Sequence, residues 1–263
     1  MVNQAFIRNI GILAEEHQAI LERATIGIAG VGADGGMVAE RLARLGIGNL
    51  KIADPGLFDE TNLNRQFGAD LKVIGKNKAA VIARIIKRIN PLIKLKLFKD
   101  GIGPNNIEKF VAGCDIVIDE IEYTRPDLSV LLHRAARKNN KYVFLGINVG
   151  WGANLFIFDP QGITFEEYCG LPADIPFEEV RNYSIPLDRF CPKIPEYVSP
   201  SVIEGVLNGK EIPSISPACS LIASLVATET ALFLIDNKRH FPVVPQYIHV
   251  DFFRRELNVG NNR

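Results

Sequence analysis

The sequence predicts an α/β fold with a doubly wound, Rossmann-like and mainly parallel sheet. Short apolar runs alternate with amphipathic stretches from residue 25 to residue 148, as strands and helices alternate in such sheets. The run TIGIAG (25–30) leads into GVGADG (30–35), which fits the G-x-G-x-x-G pattern of a nucleotide-binding turn. Ligands of doubly wound sheets bind beyond the carboxyl ends of the strands, so we expect the functional site at that edge.

The individual elements follow in a regular order. An amphipathic helix is predicted over 10–24, where apolar residues recur among charged ones. The apolar runs that predict strands are 25–30, 50–54, 93–98, 115–119, 141–148 and 153–160. The helices predicted between them are 35–45, 77–90, 104–113 and 126–139. The second of these ends at an Asn-Pro pair, because the residue before a proline avoids helical geometry.

Residues after 160 follow a different pattern. Nine of the fifteen prolines lie between 160 and 217, which predicts a long irregular crossover or lid. A buried helix is predicted over 216–236 and a terminal strand or hairpin over 245–257, which adds a C-terminal part with antiparallel strands. The chain then divides into a nucleotide-binding part with an N-terminal helix, the crossover, and a C-terminal helix and strands that complete the same domain: 1–160, 161–216 and 217–263.

Composition narrows the class of protein. The 263 residues carry 30 basic and 30 acidic side chains, so broad nonspecific attraction to nucleic acid or to a membrane is not expected. Arg8, Glu15 and Glu16 interrupt the apolar N-terminal stretch, which argues against a secretory signal. We find no run of about 18 apolar residues, so no membrane span is expected. These features predict a cytoplasmic protein.

Polar side chains follow the second predicted strand. Asp54 ends that strand, where it can accept hydrogen bonds from ribose hydroxyls. The stretches TNLNRQFG (61–68) and GKNKA (75–79), which follow, contain Asn62, Arg65 and Lys78. A carboxylate that attacks an α-phosphate needs positive groups and a metal such as Mg²⁺, whereas hydride transfer does not. The pattern therefore favours phosphate chemistry, although Asp34 inside the glycine loop would repel polyphosphate unless it points away or meets a cation.

Three stretches, GVGADGG, ADPGLFDETNLNRQF and GKNKAAVIARIIKRINP, resemble the ThiF/MoeB/HesA family, the bacterial relatives of ubiquitin-activating enzymes. The resemblance is strong over about 1–160, weakens through the crossover, and returns in the helix at 217–235. It implies that 1–160 is an ATP-binding adenylation domain. The residues it implies for binding ATP are Gly30, Gly32 and Gly35 around the nucleotide, Asp54 at the ribose, and Asn62, Arg65 and Lys78 at the phosphates.

The resemblance also carries implications for assembly and for the metal. Arg8 resembles the family's N-terminal arginine, which reaches ATP from the partner subunit, so a homodimer is expected. The family holds Mg²⁺ with an aspartate in a motif resembling D-x-x-D after the fourth strand. Here DIVIDEIEYTRPD keeps Asp119 and has Glu122 as the second acid, so Asp119 and Glu122 are the implied magnesium ligands. Glutamate is one methylene longer than aspartate, and octahedral geometry tolerates little misplacement.

The four cysteines form no C-x-x-C pair and the family's zinc cysteines are absent, so no zinc is expected. Relatives that form thioesters or persulfides carry their cysteine in the crossover, where this chain has Cys169 and Cys191. These two are the possible functional thiols. Cys114 and Cys219 lie in apolar surroundings and are interpreted as packing residues.

The implied function is ATP- and Mg²⁺-dependent adenylylation of a carboxylate, with Arg8, Arg65, Lys78 and Glu122 in catalytic roles. The expected substrate is the C-terminal glycine of a small ubiquitin-like or sulfur-carrier protein. VIDEIEYTRPD also resembles the branch that dehydrates a modified adenosine in tRNA, and the basic run RAARKNNK (134–141) allows tRNA contact. Two further alternatives are an inactive scaffold, motivated by Asp34 and Glu122, and a nicotinamide-dependent dehydrogenase, which rests on the glycine loop alone.

Overall fold

The computed structural model describes residues 3–236 and 240–262 of the chain. The strands are β1 (Thr25–Ala29), β2 (Asn49–Ala53), β3 (Lys94–Phe98), β4 (Ile116–Asp119), β5 (Tyr142–Val149), β6 (Gly152–Phe158), β7 (Gln246–Asp251) and β8 (Glu256–Asn261). They form one sheet in the order β3-β2-β1-β4-β5-β6-β7-β8. The pairs from β3 to β5 are parallel and those from β5 to β8 are antiparallel. The predicted fold class, a mainly parallel sheet with an antiparallel C-terminal part, is confirmed.

Helices cover both faces of this sheet. They are α1 (Glu15–Arg23), α2 (Ala33–Leu45), α3 (Lys78–Ile89), α4 (Ile107–Val111), α5 (Pro126–Lys138), α6 (Phe165–Cys169), α7 (Pro200–Leu207) and α8 (Ser216–Ile235). One core cluster takes residues from α1, α2, α3 and α8, and the other takes residues from α4, α5 and α6. Because both faces are covered, β1 and β4 are almost fully buried, which explains their uninterrupted apolar sequence.

The first helix begins later than the predicted residue 10. The chain instead forms a 3-10 helix, Gln4–Asn9, followed by a turn, and α1 begins at Glu15. Gly11 lies in this turn at a φ of 107°, a left-handed conformation that interrupts a right-handed helix. The predicted terminal strand or hairpin is a hairpin of β7 and β8, which extends to Asn261.

Helix α8 corrects the expectation that no segment is apolar enough to span a membrane. An 18-residue window of this 20-residue helix has a mean hydropathy of 1.9, which meets that criterion by length and composition. It packs against α2, β5 and β6, and Cys219, Ile222, Ala223 and Val226 are fully buried there. A helix that is apolar on most of its surface is typical of a protein core as well as of a membrane.

The crossover is held against the antiparallel strands. All of residues 161–215 are described, and they contain α6, α7 and two 3-10 helices, Phe177–Asn182 and Leu187–Arg189. The side-chain amide of Asn154 on β6 donates to the carbonyl of Phe190 over 3.0 Å. The amide N–H of Trp151 donates to the Tyr197 hydroxyl over 2.7 Å. These contacts place the second half of the crossover over the turn between β5 and β6.

Candidate nucleotide site

The glycine loop joins β1 to α2 at the carboxyl edge of the sheet. A Cβ at Gly30 would lie 2.1 Å from the carbonyl oxygen of Glu120, and one at Gly35 would lie 2.0 Å from the carbonyl oxygen of Gly30. These two glycines are required by close backbone packing. A Cβ at Gly32 would meet only the Gln66 amide, at 3.8 Å or more, so open space remains beside the loop at the N-terminus of α2. A helix N-terminus beside open space suits a phosphate.

Asp54 holds the loop in this shape. One carboxylate oxygen accepts from the backbone N–H of Val31 over 2.8 Å, and the other accepts from that of Gly56 over 2.7 Å. Each oxygen has a further lone pair, so a ribose hydroxyl could be accommodated in addition. Asp54 therefore has a structural role in the loop, and its binding of a ribose stays a prediction.

The segment after β2 presents the predicted phosphate-binding residues. Asn62 is buried, and its amide donates to Asp59 over 2.9 Å, so it stabilises the turn. Arg65 Nη1 donates to the carbonyl of Thr61 and to Asn64 Oδ1, over 2.9 and 2.8 Å. Arg65 Nε is buried and, within the described residues, has no hydrogen-bond partner. Such an orphaned donor costs free energy unless a ligand or water completes it, which fits a bound phosphate.

Lys78 is the first residue of α3 and lies close to Asp54. The Asn77 side chain caps α3 by accepting from the N–H of Ala80 over 3.0 Å. The Lys78 side chain passes over Gly56, where its Cδ and Cε are 3.4 Å from the position that a Cβ would take. The positive charge of Lys78 contributes to lowering the pKa of Asp59, after the hydrogen bonds of that carboxylate. The structure thus brings Lys78 to the same loop edge as Asp54 and the Asn62–Arg65 segment.

Asp34 turns away from the open side of the loop. Its Oδ2 accepts from the side-chain amide of Asn148 on β5 over 2.7 Å. Burial raises the pKa of Asp34 to about 6, against the lowering effects of the Asn148 hydrogen bond and the Arg65 charge. This geometry answers the difficulty that a carboxylate in the loop would repel polyphosphate, because the side chain points toward β5.

The acids after β4 have different environments. Asp119 is buried; its Oδ1 accepts from the N–H of Ile121 over 3.0 Å, and its Oδ2 lies 3.2 Å from His133 Nε2. The Glu120 carboxyl is directed toward Gly146 on β5, and burial followed by the charges of Asp34 and Asp119 raises its pKa well above the usual range. Glu122 is exposed in the following loop. Glu122 is therefore the accessible carboxylate of the two predicted magnesium ligands.

A separate apolar cavity adjoins these residues. It has a volume of about 280 Å³ and lies between the β5–β6 turn and the crossover from Leu187 to Ile215, including α7. Its described lining contains no Asp, Glu, Lys, Arg or His side chain. Its lining includes Tyr123, which directly follows Glu122, and Asn148, which donates a hydrogen bond to Asp34 in the glycine loop. The cavity therefore adjoins both the acids after β4 and the glycine loop. We refer to it as the apolar cavity.

The chain matches a known protein family over nearly its whole length. The ThiF family model matches residues 6–261. The chain belongs to the ThiF family. It is 37% identical over 123 residues to a tRNA threonylcarbamoyladenosine dehydratase of Haemophilus influenzae, across 46% of this chain and 47% of that protein. It is 27% identical over 217 residues to the probable adenylyltransferase/sulfurtransferase MoeZ of Mycobacterium tuberculosis, across 82% of this chain and 49% of that protein.

The chain thus spans about half the length of these curated relatives. Among solved structures, Escherichia coli MccB with ATP matches with a TM-score of 0.73 at 19% identity, across 99% of this chain and 71% of that chain. At that identity the likeness establishes the shared fold. The resemblance to the ThiF/MoeB/HesA family, given above on three sequence stretches, is confirmed.

The cysteines and Arg8 of this ThiF-family chain lie in contrasting places. Cys169 is 1% exposed in the second core cluster, and burial raises the pKa of its thiol. Cys191 lines the apolar cavity, and burial raises its pKa to about 11. Neither environment favours a thiolate. Arg8 is exposed in the 3-10 helix that precedes α1.

Several residues of the site were missed by the sequence analysis. Asn148 and Glu120 each have a buried side-chain oxygen without a hydrogen-bond partner in the described part of the chain. His133 packs between Phe158 and Phe165 and contacts Asp119, which no spacing of histidines indicates. Asn148 could have been predicted from the sequence, because it lies near the carboxyl end of a predicted parallel strand, where the site residues of such sheets gather.

Proposed function

We propose that this chain is an adenylyltransferase that activates a carboxylate with ATP. The observation that carries the proposal is the ThiF-family assignment together with an open glycine loop that is bordered by Arg65 and Lys78. A carboxylate oxygen attacks the α-phosphorus, the bond from that phosphorus to the bridging oxygen breaks, and pyrophosphate leaves. Arg65, Lys78 and the N-terminus of α2 stabilise the charge that develops on the phosphates.

Magnesium fits the exposed carboxylate of Glu122. In the described ranges no group of three or more His, Cys, Asp or Glu residues is suited to hold a metal ion. Mg²⁺ is commonly bound by one or two carboxylates together with phosphate oxygens and water, so a single protein carboxylate is enough. Bound there, the ion would neutralise phosphate charge. We assign Glu122 as its ligand and Asp119 as a supporting residue, since both Asp119 oxygens already have partners.

The proposed substrate is a peptide tail, in particular the C-terminal glycine of a small ubiquitin-like or sulfur-carrier protein. Its support is the resemblance to relatives of ubiquitin-activating enzymes and the similarity to MoeZ over 82% of the chain. A charge-free cavity beside the loop also suits a protein tail better than a polyanion.

A second candidate is a tRNA-modifying dehydratase. Its support is the 37% identity to the Haemophilus influenzae enzyme, which is higher than that to MoeZ. The basic run at 134–141 gives it less support, because three of its four basic side chains have partners within the chain. Arg134 pairs with Glu166, Arg137 donates to the carbonyl of Gly162, and Lys138 pairs with Glu108.

Transfer of label from α-labelled ATP tests the proposal. The chain is incubated with ATP, Mg²⁺ and either tRNA or the dipeptide acid N-acetyl-phenylalanyl-glycine, and hydroxylamine traps the activated carboxylate. We expect AMP release and hydroxamate formation with the peptide. AMP formation that depends on tRNA alone would favour the second candidate, and no AMP with either substrate would favour the inactive scaffold.

We also propose that Arg8 acts on the nucleotide of a partner subunit in a homodimer. Its support is the family resemblance and the exposed position of Arg8 in the N-terminal 3-10 helix. Arg8→Ala and Arg65→Ala would each be inactive, but hybrid dimers would hold one intact site. An equal mixture is then expected to regain about a quarter of the wild-type rate, because half of the dimers are hybrids. A mixture as inactive as its components would contradict the shared site.

A further inference from the structure

The basic side chains of this neutral chain are concentrated at one edge of the sheet. Residues 70–110 contain eight lysines and two arginines but only three acids, so this stretch carries a net charge of +7 and the rest of the chain carries −7. The stretch comprises α3, the edge strand β3 and most of α4. All of its basic residues except Lys78 are exposed. We refer to these exposed lysines and arginines of residues 70–110 as the basic edge.

The charge of the basic edge is not neutralised within the described part of the protein. None of its side chains forms an ion pair with an acid of the described residues. Glu108, one of the three acids in the stretch, pairs over 2.6 Å with Lys138, which lies outside it. A field of one sign over such a surface attracts anions and is typical of nucleic-acid binding.

Lysines lie side by side on the face of the sheet that carries α4. Lys51 of β2 and Lys96 of β3 are direct neighbours in the parallel register. The carbonyls at the end of α4, including that of Phe110 at 2.9 Å, hold the Lys51 ammonium in place. The pKa of Lys96 is lowered, by partial desolvation first and then by the charges of Lys51 and Lys109. Charges of one sign repel each other at such positions, and a bound anion would relieve the repulsion.

Protection of the edge strand explains only part of this charge. Lysines on an edge strand prevent its pairing with another chain, and Lys94 and Lys96 of β3 are enough for that purpose. Arg84 and Arg88 lie instead on the exposed side of α3, which covers the face of the sheet opposite to α4. Lys109 lies on α4 itself. The positive charge therefore extends beyond the edge strand onto both faces.

The composition of the basic edge favours one kind of partner. It contains seven lysines and two arginines. Lysine is depleted from interfaces between proteins, where aromatic residues and arginine are enriched. Lysine and arginine are, however, common partners of the phosphates of nucleic acids. A nucleic-acid backbone is therefore favoured over an acidic protein surface.

The basic edge leads to the nucleotide site. Strand β3 ends at Phe98, whose carbonyl accepts from the backbone N–H of Asp54 over 3.2 Å. Asp54 holds the glycine loop, and α3 begins at Lys78 beside it. A polymer that follows β3 toward its carboxyl end would therefore arrive at the loop.

We propose that the basic edge binds the phosphate backbone of an RNA. The contacts would be independent of base sequence, because contacts to phosphates carry no sequence information directly. The inference goes beyond the adenylylation of a peptide tail. Its choice of RNA over DNA rests on the second candidate function, in which an RNA carries the substrate.

Fluorescence anisotropy of a labelled RNA hairpin tests the proposal without any catalytic step. The hairpin is titrated with the full chain, in the absence of ATP, between about 50 and 200 mM salt. We expect saturable binding that weakens with salt, with a slope of log K against log salt of about −0.7 to −0.9 for each phosphate contacted. No binding, or an affinity independent of salt, would overturn the proposal. Tighter binding of the matching DNA hairpin, or binding of phosphatidylserine vesicles but not of RNA, would also overturn it.

Variants at exposed positions test the location of the surface. Lys94→Ala/Lys96→Ala is expected to weaken RNA binding and to reduce the magnitude of the salt slope by about 1.4–1.8, because two phosphate contacts are lost. Arg23→Ala/Lys210→Ala removes the same charge from exposed positions outside the basic edge and should keep the slope. Lys109→Ala is an independent variant on α4. An unchanged slope in both folded variants of the basic edge would overturn its assignment.

The outcomes distinguish failure of this inference from failure of the proposed function. AMP formation with the peptide acid is expected to be unchanged in Lys94→Ala/Lys96→Ala, because neither residue belongs to the nucleotide site. RNA binding at the basic edge without AMP formation from any substrate would leave this inference standing and overturn the adenylylation. AMP formation with the peptide acid but no RNA binding would support adenylylation and overturn the basic edge as an RNA surface.

Discussion

The loop side and the crossover side of the candidate site are built from opposite kinds of residue. The loop side carries Arg65, Lys78, Asp54 and Glu122 around an open glycine turn, and one donor of Arg65 is still unpaired within the described chain. The crossover side is free of charged side chains in its described lining. The difference separates a charged side, which we propose binds the phosphates, from an apolar side that carries none of these groups.

The largest expected effect is on the loop side. Arg65→Ala removes the proposed phosphate donor and is expected to lower the rate of AMP formation by about 10²–10³-fold. Arg84→Ala, at an exposed position of α3, is the matched control and should keep the wild-type rate. The rate is measured with α-labelled ATP. A folded Arg65→Ala variant with a rate near wild type would remove the loop side from the chemistry.

Asp34 lies where the loop side meets the crossover side. Its substitution tests whether a buried negative charge there destabilises the folded state. Burial raises its pKa from 3.8 to about 6, so the folded state holds the proton more tightly than the unfolded state between those values. The free energy of unfolding therefore falls as pH rises through this window, and the loss is complete above it. Asp34→Asn removes this cost and keeps an acceptor for the Asn148 amide. We expect it to be more stable than wild type by up to roughly 3 kcal/mol at about pH 8.

This stabilisation should vanish below about pH 4, where the carboxyl is protonated in both states. Chemical denaturation across pH measures it. Asp100→Asn, at an exposed position, is the control and should leave the profile unchanged. If Asp34→Asn is no more stable than wild type at high pH, the surrounding groups stabilise the charged Asp34 carboxylate and its burial has no net cost.

Gly150 tests the wall of the apolar cavity on the crossover side. Gly150→Ala places a methyl group against the Tyr197 hydroxyl, and such overpacking costs about 1–3 kcal/mol. Gly113→Ala is a matched control, because its φ is also positive (72°) but a Cβ there would meet nothing within 4 Å. The Tm should fall further for Gly150→Ala, by about 2–4 °C for each kcal/mol. Equal Tm values would mean that Tyr197 shifts to admit the methyl group without loss of stability.

The smallest expected effect concerns the metal. Glu122→Gln removes one carboxylate charge and is expected to raise the Mg²⁺ concentration for half-maximal ATP binding by roughly tenfold. Calorimetric titration of ATP at a series of Mg²⁺ concentrations measures this, with the exposed Glu179→Gln as control. If Asp119→Asn shifts the requirement and Glu122→Gln does not, the metal ligand is Asp119.

The loop side was largely predictable because its signals are local. β1 and the carboxyl end of β2 are buried and apolar; the glycine turn directly follows β1, and the Asn62–Lys78 stretch follows β2 after a short connection. The sequence could not show which residues of the loop side have structural roles. Gly30 and Gly35 are needed for backbone packing, and Asp54 holds the loop, facts that depend on distances across the sheet.

The crossover side was predicted only as an irregular proline-rich segment. Its cavity depends on long-range contacts, such as Asn64 with Ser214 and Tyr197 with Trp151, which leave no periodic pattern. The contact of Asp34 with Asn148 joins residues 114 positions apart and was likewise invisible. Helix α8 shows a related limit, because burial in a core and burial in a membrane select the same apolar residues.

Exchange of labelled pyrophosphate into ATP tests the central claim most directly. The full chain is mixed with ATP, Mg²⁺, labelled pyrophosphate and N-acetyl-phenylalanyl-glycine. The account predicts label in ATP only when the peptide acid is present, no label with the corresponding peptide amide, and none in the Arg65→Ala variant. Absence of exchange with the peptide acid under conditions where ATP·Mg²⁺ binds, or tight binding of NADH with none of ATP, would contradict it.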